Sequence, residues 1–271
     1  MISEKFLLSE MTWEEAKECV EKNSLVIVPV GAFEEHGPHL PLLTDSIIAE
    51  EVAKRVVARL KDEGIPAVVA PTIIFGYESR NVKAFHGTIS LRIETFINLV
   101  YDCLASLIDH GFKRILVLNA HGQNYGALRV ALRRIYEDKG VPVALIPLCS
   151  LLAGEVVRRY RKSEEGGIMH AGELETSLML VLRGDLVKLG KAVKEITEPP
   201  SEILSRDAFS PGKVFLTTWS FWKSHEGVLG DPTVASEEFG RKVLDEIVEE
   251  TVKIARELML KVFPSIEHSE A

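Results

Sequence analysis

The chain is poor in cysteine: Cys19, Cys103 and Cys149 lie far apart in 271 residues, with no C-x-x-C pair among them. That excludes a disulfide framework and a cysteine-built zinc site, and leaves reduced core thiols as the expectation. Basic charge is also short. There are 32 Lys and Arg against 40 Asp and Glu, a net charge of -8, which is the wrong sign for a nucleic-acid surface. No apolar run approaches a membrane span, and the opening MISEKFLLSE is too polar and acidic for a signal peptide. The expected location is therefore the cytoplasm, with no membrane partner. No G-x-G-x-x-G follows the first apolar run, which disfavours a nicotinamide enzyme. Internal repeats, low-complexity blocks and linkers are lacking too, so residues 1–271 are expected to form a single domain.

What is present is a regular alternation of strand-like and helix-like segments. Thr12 with Glu15 reads as a capping box opening a short helix to about Lys22. Leu25–Val30, Ala67–Ala70, Arg114–Asn119 and Pro142–Leu148 are apolar runs of buried-strand length. Between and after them, Asp45–Asp62, Leu91–His110, Ala127–Lys139, Leu174–Arg183 and Ser236–Phe263 carry helical periodicity, and Val214–Trp219 reads as a further strand. Such alternation predicts a parallel α/β sheet, whose ligand site lies beyond the carboxyl ends of the strands.

Three polar clusters fall at or near that edge. The first, GAFEEHGPHLPLLTD, packs Glu34, His36, His39 and Asp45 directly after the first strand. Desolvating those groups is costly unless a cation holds them, and mixed oxygen and nitrogen donors suit Zn, Mn or Fe better than Ca or Mg. Asp45 opens the next helix, where its carboxylate is placed both to cap and to bind metal. The second cluster, NAHGQN, sets His121 after the third strand beside Gly122, which lets the backbone approach a ligand. In the third, HAGELETS, His170 and Glu173 stand i, i+3 and face the same way if they share a helix start, with Glu175 expected to point elsewhere.

Together with GVLGDPTVAS, these blocks resemble the four signature blocks of the creatininase family, in the same order and spacing, from about Ser9 to Val262. The resemblance implies a three-layer α/β/α sandwich with a mostly parallel central sheet. It also implies homo-oligomers (often hexamers), two divalent metal ions per subunit and hydrolysis of C–N bonds in small polar molecules. Carried over by motif, Glu34, Asp45 and His121 resemble the ligands of one ion, and His36 with a shared Asp45 those of the other. Creatininase proper has a glutamate inside GHxEN where this chain has Gln123, and an apolar residue where this chain has Glu173. A carboxylate lost on one loop and regained on another makes Glu173 the inferred fifth ligand, with a catalytic role.

Other departures bear on substrate. Gly166 stands where creatininase proper has a pocket tryptophan, and FHGTISL carries His86 in place of the usual proline, after an altered SRNVKAF stretch. Creatinine is accordingly disfavoured. Trp219 and Trp222 are candidates for the pocket wall, with core packing the alternative for Trp219, and Trp222, His39 and the backbone of Gly122 and Gln123 are expected to meet substrate. His170 is the expected proton shuttle. Among substrates the family suggests a lactam-type cyclic amide, an inositol-derived diketone opened at a C–C bond, a formamide or a short peptide. The absence of an evident basic cluster weighs against a nucleotide. A non-catalytic metal-binding helper subunit is the reading of a different class.

Overall fold

A computed structural model describes residues 6–80, 82–148, 152–210, 212–216 and 224–269. Helix α1 (Trp13–Glu21) opens with the expected reciprocal cap: Glu15 N–H donates to Thr12 Oγ1 at 3.3 Å, and Thr12 N–H to Glu15 Oε2 at 2.6 Å. Then follow β1 (Leu25–Val30), α2 (Thr44–Asp62), β2 (Ala67–Val69), α3 (Ile93–Asp109), β3 (Ile115–Asn119), α4 (Asn124–Lys139) and β4 (Val143–Pro147). The four strands form one parallel sheet in the order β2-β1-β3-β4, with Val26 beside Ile115 and Val30 beside Asn119.

All six residues of β1 are buried, because helices cover both faces of the sheet. Side chains alternate across a strand, so Leu25 and Ile27 enter one core with Ile48, Val52 and Val56 of α2. Val26, Val28 and Val30 enter the other, with Phe96 and Val100 of α3 and Leu128 and Ile135 of α4. Each such aliphatic side chain contributes roughly 1.5–3 kcal/mol on burial. The result is the three-layer α/β/α sandwich with a parallel central sheet that the sequence implied.

The second half adds α5 (Gly154–Tyr160), β5 (Ile168–His170), α6 (Glu173–Arg183), β6 (Leu229–Gly230), α7 (Glu237–Glu257) and α8 (Phe263–Ser269). Strands β5 and β6 pair antiparallel. Helices α6 and α7 pack together in the α2 layer, with Ser236 capping α7 and donating its own N–H to Ser177 Oγ at 3.0 Å. Helix α5 and the short β5–β6 pair were not anticipated. Their segments are too short to show a period. The strand expected over Val214–Trp219 is not formed in its described part: residues 214–216 are irregular and exposed, with Phe215 90% accessible, while Trp219 lies outside the described residues. Among the described residues, no helix is long and apolar enough to cross a membrane.

Candidate metal centre

The chain leaves β1 for α2 on one face of the sheet and β3 for α4 on the other. The two carboxyl ends therefore part, and a crevice opens between neighbouring strands at this switch point. Gly31 starts the crevice wall. A Cβ there would lie 2.4–2.5 Å from the backbone and hydroxyl of Ser46, so only glycine lets the first turn of α2 come this close. Asn124, the first residue of α4, is buried and ties three loops together. Its Nδ2 donates to Gly31 O at 2.9 Å, and its Oδ1 accepts from Tyr77 N–H at 3.0 Å. Asn119 folds the turn below it by donating to His121 O at 2.7 Å.

These clasps bring together groups far apart in sequence. His121 Nδ1 lies 2.8 Å from Glu34 Oε1 and 2.9 Å from Asp45 Oδ2. His36 Nε2 lies 3.2 Å from Asp45 Oδ1 and 3.9 Å from Glu175 Oε2. Three triads result: Glu34–Asp45–His121 and His36–Asp45–Glu175, with Asp45 common to both, and Glu34–His36–His170. His170, at the end of β5, stacks 4.4 Å from the His36 ring, places Nε2 2.9 Å from Glu35 O and turns Nδ1 toward Glu34 at 3.9 Å. A cleft of about 980 Å³ opens above, with Glu34, Asp45, His121, His170 and Glu175 on its floor and Gly122 and Gln123 at its edge.

Burial and mutual proximity shift the titration of these groups in opposite directions. Burial pushes the Glu34 carboxyl up to about 8, against the pull of His121 and His170. Burial also opposes charge on His36 and His121, yet the carboxylates beside them hold both imidazoles well above their ordinary value. Asp45 is driven the other way, since His36 and His121 overcome its desolvation. Glu175 is raised by burial. Glu34 Oε2 and Glu78 Oε1 are buried without a hydrogen bond, while Glu34 Oε1, Asp45 Oδ2 and Glu78 Oε2 all crowd onto the one imidazole of His121. Buried orphan acceptors are costly, and two divalent cations would offset the four carboxylates Glu34, Asp45, Glu78 and Glu175. The donor set fits such ions.

Several expectations need correction. Glu173 does not face the cluster: fully buried, it accepts the N–H groups of Lys162 and Ser163, both at 2.8 Å. The i, i+3 argument fails because His170 ends a strand. Ala171 (φ +51°) and the extended Gly172 then reset the direction before α6 begins. It is Glu175, thought to point elsewhere, that reaches the site, steadied by the Ala171 N–H at 2.6 Å. Asp45 caps nothing, since Leu43 is the N-cap of α2 and the carboxylate turns to the two histidines. His39 is fully buried, bonded through Nε2 to Thr176 Oγ1 at 2.8 Å, and does not line the cleft. Burial, with His36 and His170 nearby, depresses it to about 4. Trp222 lies outside the described residues.

Sequence reasoning also missed Glu78, fully buried with Oε2 3.0 Å from His121 Nε2. A lone carboxylate in the short stretch GYES gave no spacing to read.

Oxygen- and nitrogen-rich centres of this kind, on the floor of a cleft at the switch point of a parallel sheet, are typical of metal-dependent α/β enzymes. A family model described as "Creatininase: Creatinine amidohydrolase" matches residues 9–255, and the chain belongs to the creatininase family. It is a hydrolase. Creatinine amidohydrolase of Pseudomonas putida is 30% identical over 94% of this chain and 98% of its own length. The 3-dehydro-scyllo-inosose hydrolase of Thermotoga maritima is 27% identical over 94% of this chain and 84% of its own. A mycofactocin precursor peptide peptidase of Mycobacterium tuberculosis is 32% identical over 84% and 83%. A solved creatininase in a manganese form (28% identical, TM-score 0.78) and a glutamate-to-glutamine mutant creatininase of the zinc–zinc type (29%, 0.76) each cover 95% of this chain and are themselves covered completely.

Proposed function

We propose that the chain holds two divalent cations, zinc by preference and manganese or iron otherwise, and hydrolyses the carbonyl C–N bond of a small cyclic amide of the lactam type. The observation that carries this reading is the pair of triads joined at Asp45. Glu34, Asp45 and His121 would hold one ion, and His36, Asp45 and Glu175 the other. Ions bound there supply Lewis acidity, lowering the pKa of water and polarising a carbonyl.

The chain's own residues do the rest. His36 donates Nδ1–H to Glu34 O at 3.2 Å, which orients its Nε2 toward the carboxylates. Glu78 plays the same part for His121, holding that ring from behind. His170 donates Nε2–H to Glu35 O, so Nδ1 is the atom that accepts a proton and returns it to the leaving nitrogen. Backbone N–H groups of Gly122 and Gln123, at the positive end of α4, stabilise the developing oxyanion. Tyr77, Tyr125 and Met169 give the cleft apolar walls against which a ring seats.

A second reading is ring-opening hydrolysis of a polyhydroxylated cyclic diketone, favoured by the Thermotoga relative spanning 94% of the chain. The apolar walls and the burial of His39 weigh against a polyol. Mass-spectrometric screening of zinc- and manganese-loaded protein against lactams, formamides, inosose diketones and short peptides decides between them. A lactam turned over by the wild type and lost in His170→Ala, with metal content intact, supports the first reading. Conversion of diketones alone, or silence throughout the panel, overturns it. Light scattering tests the homo-oligomer, with a hexamer as the favoured order.

A further inference from the structure

One cation shares the cleft with this acidic floor. Among the described residues lining it, Arg80 is the only lysine or arginine. It is exposed, and no carboxylate among the described residues pairs with it. Its base is fixed. Tyr77 N–H is held by Asn124, Tyr77 O lies 3.3 Å from His121 Nε2, Glu78 N–H donates to Ser90 Oγ at 2.9 Å, and Ser79 is buried. Arg80 thus projects from a segment bonded to the floor itself.

The surroundings reinforce its charge. From Ser79 to Ile93 there is no aspartate or glutamate, in a chain with 40 of them, while Arg80, Lys83 and Arg92 all fall there. Lys83 Nζ sits 5.3 Å over the ring of Tyr77, which lines the same cleft. An unpaired guanidinium is a fork built for carboxylate or phosphate oxygens. Nothing in the floor requires it, since the three carboxylates there, Glu34, Asp45 and Glu175, are matched by the histidines and the proposed ions.

We infer that Arg80 is the subsite for an anionic substituent of the substrate, a carboxylate or a phosphate carried on the molecule whose carbonyl reacts at the floor. The inference rests on the hydrolase reading above and names the substrate class within it. It adds a charged group to what sequence alone could suggest, because the basic residues are too few to form a recognisable phosphate motif.

The test uses matched pairs on zinc-loaded protein: 2-pyrrolidinone with 5-oxoproline, hydantoin with hydantoin-5-acetate, and N-formylethanolamine with its phosphate ester. Turnover and calorimetric binding are read for each pair, in wild type, Arg80→Gln and Arg80→Lys, with metal content measured throughout. The anionic member is expected to be favoured roughly 10- to 100-fold, chiefly in KM and Kd. Arg80→Gln should abolish that preference and Arg80→Lys restore part of it. The carboxylate and phosphate arms then distinguish the two anions. Anionic preference in binding without turnover upholds Arg80 and overturns the reaction instead. Equal binding of charged and neutral members, a preference unchanged in Arg80→Gln, or no binding of any anionic member overturns the inference.

Discussion

At the residue scale, the two glutamates of HAGELETS divide the labour. Glu173 is a buried structural acceptor: its two oxygens satisfy the backbone of Lys162 and Ser163. Replacing it with alanine strands both N–H groups, at a cost of about 2–4 kcal/mol. Glu173→Ala should therefore melt several degrees lower by calorimetry while its metal content stays at the wild-type level. Glu175 behaves differently. It belongs to the His36–Asp45 triad, so Glu175→Ala should lose about one of the two proposed ions per chain by elemental analysis, with a smaller fall in the melting of the metal-free protein than in Glu173→Ala, since only the Ala171 N–H is stranded. Equal metal content in the two variants would return the ligand role to neither. His170→Ala is expected to retain its metals and lose kcat by on the order of 10²–10⁴. Single-turnover rates at saturating metal check this, since a merely structural His170 would lose metal together with rate.

At the element scale, the site depends on how closely α2 begins behind β1. Gly31 is the point of closest approach, and a methyl group there meets the Ser46 backbone at about 2.5 Å, not a flexible side-chain tip. The first turn of α2 must move for Gly31→Ala to fold, and Asp45 moves with it. The expected cost is about 1–3 kcal/mol in stability, together with weakened metal binding, because Asp45 serves both triads. Comparing metal Kd for Gly31→Ala with that of a core substitution of similar cost, such as Leu104→Ala, separates displacement of Asp45 from general destabilisation. The same dependence explains Asn124, whose side chain joins Gly31 to Tyr77 and so locks the loops after β1 and β2 to the start of α4. Gly227 makes a similar demand from the far side: a Cβ would sit 1.9 Å from Glu35 Oε2, and its φ is +75°.

For the whole molecule, the centre couples metal, protons and stability. In the metal-free protein Glu34 is raised from 4.5 to about 8. Its contribution to stability is fully present below 4.5 and lost as pH rises through about 8. His36 and His121 lie well above 6.5, so theirs is full below 6.5 and also lost as pH rises through the folded values. Asp45 runs the other way, but its gain is complete above 3.8 and constant in this window. The metal-free protein should thus lose stability between pH 6.5 and 9. Metal must displace those same protons, so its affinity should rise over the same range. The gap in melting temperature between metal-loaded and metal-free protein is expected to widen from pH 6.5 to 9, with proton release on zinc binding in calorimetric titrations across buffers. A gap that narrows would mean the ions bind elsewhere.

The order of strands and helices from α1 to β4, the buried apolar runs and the capping box at Thr12 were determined by sequence alone, because each rests on local periodicity and neighbours within a few residues. So was the gathering of Glu34, His36, Asp45 and His121 at one sheet edge, since parallel topology forces successive strand ends to that edge. Only the tertiary structure decided which glutamate of HAGELETS faces the carboxylate–imidazole cluster: a left-handed Ala171 between a strand and a helix turns the chain, and spacing carries no record of that turn. It likewise decided that Glu78 stands behind His121, that His39 is buried and that Arg80 is the one lysine or arginine among the described residues lining the cleft. These are relations between segments distant along the chain, fixed by packing and by clasps such as Asn124.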